Sequence, residues 1–361
     1  MTKRPSHPED ARPFGGPNEG ASESGVFERR IVAGARTRFS FPGKTFLVGE
    51  YLALSGGPSI VLCTEPRFEL TVSTNEDANE EAPRAGERSL NESSLALSPF
   101  HPASPAGCLI NENAPKFQNT RIQFYDPHAG LGGLGASTAQ YAGVWAYLNN
   151  VSHIEPEHFD WASLLRGYRR AAWSGDGAPP SGADLVAQLT GGVCWFDGIG
   201  ARARRLKWEF ADLSFTLIRT GVKLATHEHL KAAQRTGDEA ATLSRDGILR
   251  DAVGEALIAF DTGDSRRLIR AVEAAACGLE SAGLCAKSTQ DILSCLRFDL
   301  GGSQGGVLAA KGCGAMGADV ILCLHAPADG ARINEWVKAK GLKTCGGAQD
   351  VASAGLLREV F

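Results

Sequence analysis

The sequence predicts an α/β or α+β protein of two lobes, on three observations. Strand-like and helix-like periods alternate along most of its 361 residues. Its 43 glycines gather in short clusters between those periods. No fixed-period repeat runs through the chain, which excludes a solenoid. Hydrophobic residues at 43% and charged residues at 22% are globular proportions that exclude wholesale disorder, collagen-like structure and coiled coil. Lysine and arginine number 37 against 41 acids, so no global positive field marks a nucleic-acid or membrane-binding protein. No apolar run approaches the roughly 20 residues that span a bilayer. The polar first 26 residues lack the apolar core of a secretion signal, and nine scattered cysteines form no CxxC pair. A cytoplasmic protein with neither disulfides nor zinc is expected.

Element by element, residues 1–34 are rich in proline, glycine and charge without periodicity and are expected to form a disordered leader. Folding begins near Thr37. Phe46, Leu47 and Val48 read as a strand, Ser55–Pro58 as a turn, Ser59–Cys63 as a second strand and Phe68–Val72 as a third. From 75 to 120 the composition turns polar and proline-bearing, which reads as a long surface insertion, either a lid over a substrate or a tolerated loop. Arg121–Tyr125 is a strand that runs into the turn Gly130–Gly135 and then a helix, where Ala139, Ala142, Trp145, Ala146 and Leu148 lie close to one face. A second helix spans about Trp161–Trp173. Ala183–Leu189 is a short helix ending at Gly191-Gly192, Val193–Phe196 is a strand, and a basic, polar crossover leads to the strand Phe215–Ile218.

Beyond the lobe boundary near residue 205, Leu249, Val253, Ala256, Leu257 and Phe260 mark one apolar helix face. Leu268, Val272, Ala275, Ala276 and Leu279 mark another after a break at Thr262-Gly263-Asp264. Gly306–Ala310 then precedes a glycine turn at Gly312–Gly317 and the buried-type strand Val320–Leu324.

Four clusters could carry chemistry. Lys44 follows Pro42-Gly43 and precedes a strand, which suits either a positioned cation or an ordinary turn lysine; Gly49-Glu50-Tyr51 follows closely. In Gly132-Gly133-Leu134-Gly135-Ala136-Ser137-Thr138, glycines let backbone N–H groups converge on an anion at a helix N-terminus, and Ser137 or Thr138 offers a hydroxyl to a phosphate-bound Mg²⁺. This run is neither a Walker A loop nor a dinucleotide fingerprint, and an unliganded helix start is its plain alternative. Ser181-Gly182-Ala183-Asp184 opens a helix, where Asp184 either complements the dipole or orients an acceptor group. Lys311-Gly312-Cys313-Gly314-Ala315-Met316-Gly317-Ala318-Asp319 is a glycine turn whose lysine and aspartate read most simply as solvated.

Taken together, in this order and spacing, the clusters resemble the three signatures of the GHMP small-molecule kinase superfamily, over about Ser40 to Leu324. Tyr51 after Gly-Glu and Asp319 closing the third signature look most like phosphomevalonate kinases, and next like mevalonate kinases. The resemblance implies an α+β, two-lobed fold with a βαβ-type N-terminal lobe and a ferredoxin-like C-terminal lobe with added helices. It implies an ATP-binding domain over 35–205 and a second domain over 206–361.

It also implies ATP and Mg²⁺ as cofactors and a small-molecule phosphoryl acceptor as partner, with the chain a monomer or homodimer. Gly132–Thr138 would hold the ATP phosphates, Ser137 would touch the metal, Lys44 would stabilise developing charge, and Asp184 would orient or deprotonate the acceptor. Gly49, Glu50, Tyr51, Ser181, Gly182, Lys223 and the turn Gly312, Cys313, Gly314, Ala315, Met316, Gly317 would form the substrate side. Arg219 and His227 are further candidates for a substrate phosphate. Three departures from the pattern are Ala136, Met316 and Ala318, and no acid occupies Arg170–Ser174, where mevalonate kinases carry a metal-binding glutamate. The expected reaction is transfer of the ATP γ-phosphate to phosphomevalonate. Mevalonate kinase, a diphosphomevalonate decarboxylase-like enzyme and a non-catalytic binding protein of the same fold are the alternatives.

Overall fold

The fold opens with β1 (Thr37–Val48), whose first four residues alternate buried and half-buried, while Phe41 to Val48 are buried throughout. A strand enclosed on both faces needs an apolar run, and Lys44 is the one charged residue inside it. The computed structural model describes residues 36–74, 87–88, 99–128, 132–175, 177–221, 239–302 and 306–361. All of them belong to one unit, Gly34–Phe361. The expected leader, Lys223, His227 and most of 75–98 lie outside the described residues.

After β1 come α1 (Glu50–Leu54), β2 (Pro58–Thr74), β3 (Glu87–Arg88), α2 (Pro105–Glu112) and β4 (Thr120–Tyr125). The chain continues through α3 (Ala136–Leu148), α4 (Trp161–Ala172), α5 (Ala183–Thr190), β5 (Val193–Asp197), β6 (Arg202–Leu206) and β7 (Ser214–Arg219). It closes with α6 (Glu239–Thr262), α7 (Ser265–Ser281), α8 (Lys287–Leu300), β8 (Val307–Cys313), β9 (Val320–His325), α9 (Gly330–Ala339), β10 (Lys343–Gly347) and β11 (Leu357–Val360). One sheet runs β11-β1-β2-β4-β3, with the start of β2 also pairing β5 and β5 pairing β6; the second runs β10-β7-β9-β8. Every ladder between the described strands is antiparallel, which decides for α+β over α/β. The α6–α7 hairpin lies against β1 and β8, so it touches both sheets. No helix among the described residues is long and apolar enough to cross a membrane.

Three expectations change. The strands expected at Ser59–Cys63 and Phe68–Val72 are one strand, β2. Its register against β1 slips between Pro42 and Gly43, leaving Glu65 and Pro66 unopposed. Arg67 holds this bulge by donating to the Ser40 carbonyl at 3.0 Å and the Ala354 carbonyl at 3.1 Å. The basic crossover contains β6, where Ala203 and Leu206 are buried between arginines. Residues 99–117 are no surface excursion: Phe100, Ala106, Ile110 and Phe117 are buried, and α2 packs on α3. The polar residues that suggested a loop there are helix punctuation. Ser104 caps α2 by accepting from the Gly107 N–H at 3.1 Å, Pro105 occupies the first turn, and Asn113 ends the helix.

Candidate functional site

Lys44 is positioned from three sides. Its backbone N–H donates to the Leu134 carbonyl at 2.9 Å, which ties β1 to the glycine run before α3. Its stem passes Gly135, the left-handed residue (φ 97°) that starts α3; a Cβ there would lie 2.9 Å from Lys44 Cγ and 2.8 Å from Gln188 Nε2. Its ammonium meets Asp184 Oδ2 at 3.0 Å, with the two side chains 10% and 31% exposed. Asp184 stands in the first turn of α5, held by the Ala183 N–H donating to Ser181 Oγ at 3.3 Å. Asp184 Oδ1 is buried and has no hydrogen-bond partner among the described residues. The neighbouring Tyr168 phenol is pushed up by burial first and by the Asp184 charge second.

Thr138 locks the scaffold behind this pair. Its buried hydroxyl lies 2.9 Å from the Gly135 carbonyl and 2.5 Å from Gln188 Oε1, and Gln188 Nε2 donates to the Pro42 carbonyl at 2.9 Å. One polar chain thereby joins α3, α5 and β1. Ser137, one residue earlier, is exposed.

Asp319, just before β9, fits between two glycines: a Cβ on Gly133 would lie 2.5 Å from its Cβ, and one on Gly314 would clash with its carboxylate. The reading of Lys311 as a solvated turn residue is overturned. Lys311 is 1% exposed, and its ammonium lies 2.6 Å from Glu50 Oε1. Met316, at a position where the resemblance expects glycine, takes the left-handed backbone a glycine would (φ 54°).

Lys44, Glu50, Tyr51, Ser137, Ser181, Gly182, Asp184, Gly314 and Ala315 line one cleft of about 450 Å³. Gly49, Gly132, Gly133, Leu134, Gly135, Ala136, Thr138, Gly312, Cys313, Met316 and Gly317 are not on its wall. Sequence reasoning missed the cleft's apolar wall of Phe46, Leu54, Tyr168, Trp173, Pro179 and Pro180; the Pro-Pro run directly before Ser181 was its available signal. Among the described residues on the wall Lys44 is the only cation, with Glu50, Asp184 and Asp319 as the acids. No group of three or more His, Cys, Asp or Glu side chains among the described residues could hold a metal by itself. Ser137 and Asp184 are hard oxygen donors of the kind Mg²⁺ takes alongside nucleotide phosphates.

No protein-family model and no curated protein matches the chain. Solved structures do. A mevalonate kinase from L. major in complex with R-mevalonate matches with TM-score 0.62 and 17% identity, over 87% of this chain and 96% of that one. A Streptococcus pneumoniae phosphomevalonate kinase in complex with phosphomevalonate and AMPPNP matches with TM-score 0.62 and 16% identity, over 86% and 98%. A Lactococcus lactis galactokinase complexed with galactose matches with TM-score 0.63 and 12% identity, over 90% and 95%. The chain has the fold of these kinases, two antiparallel sheets with helices.

Proposed function

We infer that the protein is an ATP-dependent kinase of the GHMP type acting on a small molecule. The observation that carries this reading is the meeting of Lys44 and Asp184, 140 positions apart in sequence, at 3.0 Å in a cleft that the start of α3 also reaches. Phosphoryl transfer asks for positioning and charge neutralisation more than for covalent help. The opening turn of α3 offers N–H groups without helical partners and the positive end of a helix dipole, which suits nucleotide phosphates. In this reading Lys44 neutralises charge on the transferring group, and Asp184 aligns an acceptor or takes its proton. Ser137 and Asp184 are the residues that would hold a nucleotide-bound Mg²⁺, which would supply charge neutralisation.

For the acceptor, the wording of the motifs supports phosphomevalonate, through Tyr51 and Asp319. The cleft's charge supports a second reading, mevalonate: an alcohol needs the carboxylate beside Lys44, whereas a phosphate monoester is already ionised at neutral pH and asks chiefly for alignment. Coupled ADP release with the two compounds as rival acceptors tests both. ADP with phosphomevalonate alone supports the first, ADP with mevalonate alone the second, and CO₂ released with ADP a decarboxylase. ADP release with neither compound favours a non-catalytic binding protein of the same fold.

A further inference from the structure

Lys311 lies beneath the cleft rather than in it, on β8, and its ammonium reaches three partners. It stands 2.6 Å from Glu50 Oε1 on α1, 3.4 Å from the Phe46 carbonyl on β1 and 3.4 Å from Cys313 Sγ on its own strand. Phe46 is two residues beyond Lys44, and its side chain lines the cleft. Burial pulls the ammonium's pKa down, but Cys313 and Glu50 outweigh it and hold the value at about 12, so the group stays charged. A second tie runs parallel to the first: the Met316 N–H donates to the Tyr51 hydroxyl at 2.9 Å. Through its first two residues α1 therefore grips both the strand leading into the third glycine turn and the turn itself, whose Gly314 and Ala315 form part of the cleft wall. An ion pair at this depth carries a desolvation cost that apolar side chains of equal volume avoid, so its stabilising value is small against its geometric one.

We propose that Lys311 is a positioning residue, which through Glu50 and Phe46 sets the spacing between the strand carrying Lys44 and the Gly314–Ala315 wall. This role rests on the kinase reading above. The test compares Lys311→Met, the double variant Lys311→Met/Glu50→Gln, and Tyr51→Phe. Each is measured for thermal unfolding, for affinity toward a fluorescent ADP analogue, and for kcat and KM with whichever of mevalonate or phosphomevalonate supports ADP release. Lys311→Met strands a buried carboxylate and is expected to lose both stability and turnover. The double variant is expected to regain stability while kcat stays down on the order of 10- to 100-fold, with KM for ATP moved much less. Tyr51→Phe strands no charge, only the Met316 N–H, and is expected to lower kcat with a smaller fall in unfolding temperature than Lys311→Met. Wild-type kcat in the double variant, or in Tyr51→Phe if both Lys311 variants fail to fold, overturns the proposal. A wild-type chain that neither releases ADP nor binds the analogue overturns the kinase reading, and the positioning role with it.

Discussion

Lys44 and Asp184 share one contact, yet they differ in setting: the lysine is 10% exposed inside a strand and the aspartate 31% exposed at a helix start. Lys44→Met and Asp184→Asn are each expected to lower kcat by about 100- to 1,000-fold, the usual loss when one preorganised charge is removed from a transition state. Because Lys44 is buried and each change leaves its partner's charge unmatched, the stability cost should be about 1–3 kcal/mol. Steady-state kinetics and thermal unfolding of the same samples check both halves. His128 makes a prediction of a different kind. It is buried against Phe68 and beside Gly43, and burial first, then the Arg219 charge, lowers its pKa from 6.5 to about 4. The folded ring is thus neutral near pH 7. As pH falls below 6.5 the unfolded chain takes up the proton first, so the fold loses stability, and the loss levels off below about pH 4. Between pH 7 and 5 this group should cost about 2 kcal/mol, and denaturant titrations of His128→Asn should show a pH dependence shallower by that amount.

Among the elements, those with a full period of their own were legible: α3, α4 and α5, the strands β4, β5 and β9, and the α6–α7 pair with its break at Thr262–Asp264. Others fell below what a period can reveal. α1 has five residues, barely more than one turn, and exists because Gly49 turns the chain and its first two side chains are engaged elsewhere. α8 spreads its buried Leu293, Leu296 and Leu300 among charges, and β6 hides two inward residues between arginines. The four chemical clusters stand in the sequence as composition. What composition could not give is depth: Lys311 and Lys44 look alike on paper, and only packing separates a residue under the floor from one on the wall. The glycine run before α3 is where an element and the site depend on each other most directly. Gly135→Ala should cost about 1–3 kcal/mol for its left-handed backbone. Because the added methyl would press on the Lys44 stem, it should also lower kcat, whereas backbone strain alone would leave kcat intact.

The whole molecule is closed by its C-terminal segment, which crosses α5 and then joins the first sheet. The Gly192 N–H donates to the Ala352 carbonyl at 2.7 Å, the Ala352 N–H to the Cys63 carbonyl at 2.9 Å, and β11 pairs Leu357–Val360 with Ser40–Thr37. Deleting 357–361 should cost about 2–4 kcal/mol, as a few backbone hydrogen bonds are lost. It should leave kcat near wild type, because those bonds lie at the end of β1 away from Lys44; unfolding and turnover assays on the shortened chain check this. The pairing of β1 with β11 also orders events during biosynthesis. The strand that carries Lys44 is made long before β11, so its outer flank waits for a partner encoded about 320 residues later. Until then it offers bare amides and carbonyls to any other nascent chain, a hazard that a holdase chaperone would relieve.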